Sequence, residues 1–151
     1  MGKIPLKLLT LFITYNLTIT SSTGGKVSSS GGPFESGSNV SITATPDSEY
    51  VFVNWSNGST DNPLSVTVNS NQTITSNFEK RKYPLTITIL GEGSISEKII
   101  SAGKSTTEYS SVSTIRLTAI SSDGSEFSGW NGSVVSSENS LEIQIGESKL
   151  I

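Results

Sequence analysis

The sequence predicts an all-β protein built as two tandem small modules, each of about five to six short, mostly antiparallel strands. Three observations predict it. Apolar residues alternate with Ser, Thr or Asn in short runs, as at Leu17 and Ile19, at Val40, Ile42 and Ala44, and at Leu64, Val66 and Val68. That is the period of strands with one face on a core and one in water. No stretch sustains the 3.6-residue period of a helix. Finally, the runs return in the same order later in the chain: "YNLTIT" (Tyr15 to Thr20) as "YPLTIT" (Tyr83 to Thr88) at an offset of 68, "VSITA" (Val40 to Ala44) as "IRLTA" (Ile115 to Ala119) at 75, and "LSVTV" (Leu64 to Val68) as "LEIQI" (Leu141 to Ile145) at 77. Blocks that keep their order while insertions fall only between them indicate a duplicated unit. Seven extra residues enter the second copy between Ile95 and Ile115, and two more enter after its tryptophan.

Residues 1–14 form an N-terminal apolar segment in which two lysines precede Leu8 to Ile13, resembling the start of a secretory signal. It lacks a small-residue cleavage site before Tyr15, so a tail that extends the first strand is the simpler expectation. It is also too short to cross a bilayer, which takes about 20 apolar residues. The first module, 15–79, has expected strands near 15–21, 25–29, 39–45, 50–55, 63–68 and 72–78. They are separated by turn chemistry at Gly24-Gly25, Gly31-Gly32-Pro33, Pro46-Asp47, Asn57-Gly58 and Asp61-Asn62-Pro63. "EKRKYP", Glu79 to Pro84, reads as a charged, solvated linker. The second module, 80–151, has expected strands near 83–89, 93–97, 114–120, 126–130, 140–145 and 149–151. Ile151 aligns with Ile74, while the first copy continues through Thr75, Ser76 and Asn77 to Phe78. The second module is therefore expected to be incomplete at its C-terminus, with a weakened, exposed edge.

Composition removes several classes of chemistry. The net charge is −3 and only 15% of residues are charged, so no basic field exists to hold nucleic acid or an anionic membrane surface. With no Cys and no His, disulfides, thiolate metal sites and the commonest general base are absent. Ser and Thr make up 47 of 151 residues without an activating base at a recognisable spacing, so nucleophilic catalysis has no support. No Asp or Glu lies in an apolar strand setting that would tune a carboxylate pair for glycoside hydrolysis. Asp47 and Asp123 occupy the same turn in both copies, near Glu49 and Glu126, and such oxygens can bind calcium. One Asp per turn is explained more simply by turn formation. Six Asn-x-Ser/Thr sequons, from Asn16 to Asn131, are expected by chance in a chain so rich in hydroxyl residues.

The first copy carries Tyr-x-Leu-Thr, Gly-x-Val, then Val-x-Ile-Thr-Ala-x-Pro, Tyr-x-Phe-x-x-Trp, Asn-Pro and Ile-Thr-x-x-Phe, from Tyr15 through Phe78. This order resembles the divergent internalin B-type repeat, found in tandem in secreted and surface-anchored bacterial proteins. The second copy keeps Tyr83, Gly93, Leu117-Thr118-Ala119, Phe127 and Trp130, has Ser121 where the first has Pro46, and lacks the Asn-Pro pair and the closing Phe. The resemblance implies extracellular or cell-surface placement, neighbouring repeat modules, and work as a stalk, spacer or adhesive repeat without catalysis or a cofactor.

The chain's two tryptophans each follow a Phe by three residues and stand beside an Asn-Gly pair: Phe52 and Trp55, Phe127 and Trp130. An exposed ring there would suit stacking on a sugar. A core anchor suits a small module better, because it buries little surface and needs a large aromatic. In an ideal strand residues three apart face opposite sides, so a kink near Asn54 and Gly129 is expected to turn each Trp inward. Phe52, Trp55, Phe127 and Trp130 are thus expected core anchors. Tyr50, Phe34 and Tyr109 are the candidate exposed aromatics for the alternative, a carbohydrate-binding module whose partners would be surface glycans or other cell-surface proteins. An accessory region of a larger secreted enzyme is a third possibility on sequence grounds.

Overall fold

A computed structural model describes residues 11–101, 103–104 and 108–151; most of the expected N-terminal segment, 1–10, lies outside the described residues. The architecture is all-β, and the chain divides into two compact units between Glu79 and Lys80.

The first unit contains β1 (Thr14–Ser21), β2 (Gly25–Val27), β3 (Gly31–Glu35), β4 (Ser38–Ile42), β5 (Ala44–Pro46), β6 (Tyr50–Trp55), β7 (Leu64–Val68) and β8 (Gln72–Lys80). One sheet runs in the order β3-β1-β8-β6; β2 pairs with β5, and β4 with β7. The first and last strands lie parallel, Leu17 opposite Gln72 and Ser21 opposite Ser76. The inward residues of the alternating runs make the core: Leu17, Ile19, Ile42, Ala44, Trp55, Leu64, Val66, Val68, Ile74 and Phe78. The Gly31-Gly32-Pro33 segment, expected as a turn, is instead an edge strand on β1. A β-carbon on Gly31 would collide with the Leu17 carbonyl, so glycine lets the two backbones approach. Pro33, which cannot donate to a ladder, is tolerated because β3 lies at the sheet edge.

The second unit contains β9 (Lys82–Thr86), β10 (Gly93–Ser101), β11 (Glu108–Ser110), β12 (Ser113–Ser121), β13 (Ser140–Ile145) and β14 (Lys149–Leu150). Its sheets run β10-β12-β13 and β11-β9-β14. β9 and β14 are again parallel, Leu85 opposite Lys149, the same register as Leu17 opposite Gln72 after the offsets of 68 and 77. The continuous β12 spans what β4 and β5 share in the first unit, pairing with β10 on one side and β13 on the other. Tyr109, Ile115, Leu117, Trp130, Ile143, Ile145 and Ile151 form the core.

Two further expectations are corrected. The linker at 79–84 is strand on both sides of Arg81, because β8 extends to Lys80 and β9 opens at Lys82. The strand expected at 126–130 does not form: only an isolated bridge joins Trp130 to Ser136. Where β6 has Val51, Val53 and Asn54, the second copy has Glu126, Ser128 and Gly129, which favour a strand less, and Gly129 takes a φ of +138°.

Candidate functional site

The motif that the sequence repeats most closely surrounds the two tryptophans, and the structure builds it the same way twice. Trp55 has no solvent exposure and Trp130 has 5%. In the first unit the Trp55 backbone N–H donates to the Ser59 carbonyl (2.8 Å), the indole N–H donates to the Asp61 carbonyl (2.8 Å), and the Asp61 N–H donates to Ser59 Oγ (3.1 Å). In the second, the Trp130 N–H donates to the Ser136 carbonyl (2.7 Å), the indole to the Glu138 carbonyl (2.9 Å), and the Glu138 N–H to Ser136 Oγ (3.1 Å). The two extra residues of the second loop lie between the Trp and Ser136, so the clamp itself is unchanged. A buried indole needs a partner for its one donor, and the loop following each Trp supplies it. Each Phe meets its Trp on the same side: the Phe52 and Trp55 rings are 5.5 Å apart at 59°, and the Phe127 and Trp130 rings 5.3 Å apart at 58°. Phe52 and Phe127 are half-buried against the two cores.

One member of this motif was not legible in the sequence. Asn62 locks the Trp loop to β5, its Oδ1 accepting from the Ala44 N–H (2.9 Å) and its Nδ2 donating to the Ala44 carbonyl (2.8 Å). Asn139 stands in the same place, donating from Nδ2 to the Ala119 carbonyl (2.9 Å) while its own carbonyl accepts the Ala119 N–H (3.0 Å). The second copy loses the proline of Asn-Pro but keeps the asparagine. Matching 62 to 139 at the offset of 77 would have found it.

The aromatics proposed for sugar stacking are not free platforms. Tyr109 is corrected outright: it is 2% exposed. It sits on β11 opposite Tyr83, with the Lys104 ammonium 4.9 Å above its ring. Phe34 occupies the matching place opposite Tyr15 and packs on the first core. Tyr50 lies half-buried with its ring over Gly24, where a β-carbon would collide with it. Burial pushes the Tyr109 phenol up, reinforced by the neighbouring Glu97 carboxylate. Burial also pushes the Glu97 carboxyl up, but hydrogen bonds from Lys104 and Tyr109 outweigh it and hold Glu97 below the usual range. The hydrogen bond to Glu97 raises the Lys104 ammonium. The trio thus ties β10 to the loop and strand that follow it.

Asp47 and Asp123 are exposed, in turns closed by backbone bonds from Tyr50 N–H to the Asp47 carbonyl (3.2 Å) and from Ser125 N–H to the Ser122 carbonyl (3.0 Å). Among the described residues no group of three or more His, Cys, Asp or Glu is placed to hold a metal ion. No helix among the described residues is long and apolar enough to cross a membrane.

The model of one family, the divergent InlB B-repeat domain, matches the chain twice, over residues 15–82 and again over 83–145. No curated protein and no solved structure matches it. Such repeats are structural modules associated with bacterial surface or secreted proteins, and they are typically non-catalytic. With two copies of one Trp-clamped β unit in tandem and a family match over both, the chain belongs to the divergent InlB B-repeat family.

Proposed function

We propose that this chain is a non-catalytic structural repeat region of a secreted or surface-anchored bacterial protein, serving as a spacer or stalk that holds neighbouring domains away from the cell. One observation carries this. The residues repeated between the copies, Phe52 and Trp55 with Phe127 and Trp130, point into cores rather than toward a ligand. What the duplication preserves is a way of folding, and a spacer needs only that each unit fold and resist extension. Pulling the chain from its ends in a single-molecule experiment tests the proposal. Two unfolding events are expected, each releasing about 200 Å, the reach of some 65 residues at roughly 3.4 Å each. Extension without resistance would reject a mechanical role. Binding on a glycan array that Tyr50→Ala abolishes would replace the spacer with a carbohydrate-binding module.

A further inference from the structure

The turn that leads out of β11 in the second unit repeats the turn that leads out of β3 in the first. Ser36-Gly37-Ser38 becomes Ser111-Val112-Ser113 at the offset of 75. The hydrogen bonds match as well. Ser36 N–H donates to the Ile13 carbonyl (2.8 Å) and Gly37 N–H to the Val68 carbonyl (2.9 Å); Ser111 N–H donates to the Arg81 carbonyl (2.7 Å) and Val112 N–H to the Ile145 carbonyl (2.7 Å). Both central residues are left-handed, Gly37 with a φ of +86° and Val112 with +59°. Glycine takes that conformation freely, whereas the branched β-carbon of valine crowds its own backbone there. Val112 is also 44% exposed, so little packing of its own side chain offsets the strain.

A residue other than glycine stays left-handed only where the contacts around it over-determine that conformation. Those contacts are few here. β11 contributes three residues to its ladder with β9, where β3 contributes five to its ladder with β1. Ser110 N–H donates to the Gly103 carbonyl (2.9 Å), and the buried Ser113 hydroxyl donates to the Ser110 carbonyl (2.6 Å). Ahead of the turn the Tyr109 ring lies under Lys104, whose ammonium pairs with Glu97 of β10 at 2.7 Å.

We propose that residues 108–112 form a latch that opens by itself while the rest of the second unit stays folded. Opening lets Val112 return to an extended conformation, which draws the arm outward, and the Glu97, Lys104 and Tyr109 contacts draw it shut. It frees β11 and uncovers the Tyr109 ring. Ile115, Leu117, Ile143 and Ile145 stay in place, because the β12–β13 ladder that carries them begins at Ser113 and does not include the arm. The first unit has the same turn with glycine at its centre and a longer strand before it, so its arm opens far less often. Such a latch opens at rest as well as under load, and so it stands apart from the spacer role.

Native-state hydrogen exchange by NMR on the whole chain, in low concentrations of denaturant, tests the latch. The Ser110, Ser111 and Val112 amides should exchange about ten times faster than those of β12 and with little dependence on denaturant, the mark of an opening that exposes little surface. Val112→Gly should slow the amides of residues 110–112 about tenfold, the shift expected from relieving one such strain. Lys104→Met should quicken them several-fold and leave Ser36 and Gly37 unchanged. In the first unit, Gly37→Val should quicken the Ser36 amide about tenfold. The proposal is overturned if the arm amides share the rate and denaturant dependence of β12, which would make the arm part of one cooperative unit. It is likewise overturned if Val112→Gly leaves them unchanged or speeds them.

Discussion

The two units share one plan but differ in the segment that leads to the tryptophan, a strand in the first and an isolated bridge in the second, and the difference separates what both keep from what only one has. Both keep the parallel pairing of first and last strands, the Phe–Trp ring contact, the indole clamp and the asparagine brace. Among the described residues the second unit forms no strand in place of β6, and its β10–β12 ladder is longer than the β2–β5 pairing. The Trp cluster is therefore what the two units share.

The largest effect that would break this comparison is at the tryptophans. Trp55→Ala should cost about 3–5 kcal/mol, the range for emptying a large aromatic site. Against a marginal total that is enough to unfold the first unit. Trp130→Ala should fall near the lower end of this range, because Trp130 keeps slight exposure where Trp55 has none. Denaturant unfolding followed by amide exchange at Leu17 and at Ile115 reads the two units separately. An unchanged Trp55→Ala protein would show that the ring is not an anchor.

Next come the phenylalanines. Phe78→Ala should cost the first unit about 3 kcal/mol. Phe127→Ala should cost the second only about 1–2 kcal/mol, since its ring is half-buried and has no third aromatic on it. Equal costs would mean that the second core is as closed as the first.

The asparagine brace sharpens the comparison at a smaller scale. Asn62→Ala removes two side-chain hydrogen bonds to Ala44 and should cost about 1–3 kcal/mol. Asn139→Ala removes one and should cost less, since the Ala119 N–H keeps its bond to the residue 139 backbone carbonyl. Thermal unfolding of both variants checks the order.

The smallest effect is in pH. Glu97 is held below its usual range, so its contribution is present above about pH 4.3, the unfolded value, and is lost as pH falls through the folded one. Lys104 is held up, so its contribution is complete below about pH 10.4 and is lost as pH rises further. Amide exchange in β10 should quicken at both extremes, and Glu97→Gln should flatten both limbs, the alkaline one because the Lys104 ammonium is raised first of all by its hydrogen bond to Glu97. The group is partly exposed and the change is correspondingly modest.

Period-two runs and offsets were enough to read the duplication and the strand faces, because a half-buried strand writes its burial directly into alternation. The failures have local causes. Gly31-Gly32-Pro33 carries turn chemistry, yet a close backbone approach at Leu17 turns it into an edge strand. Phe127 to Trp130 copies the aromatic spacing of a strand without the β-branched residues that extend one. Tyr109 looked exposed because it stands among polar residues; in the fold it lies opposite Tyr83 of β9, with Lys104 over its ring. Asn139 was hidden by the missing proline.

The claim that one Trp-clamped unit was built twice is tested most directly by hydrogen exchange at the two indole N–H groups. Both should exchange slowly and at comparable protection, because each donates to a loop carbonyl inside its own core. Fast exchange at either indole, accompanied by quenching of that ring by a soluble quencher, would contradict it and return that tryptophan to the surface.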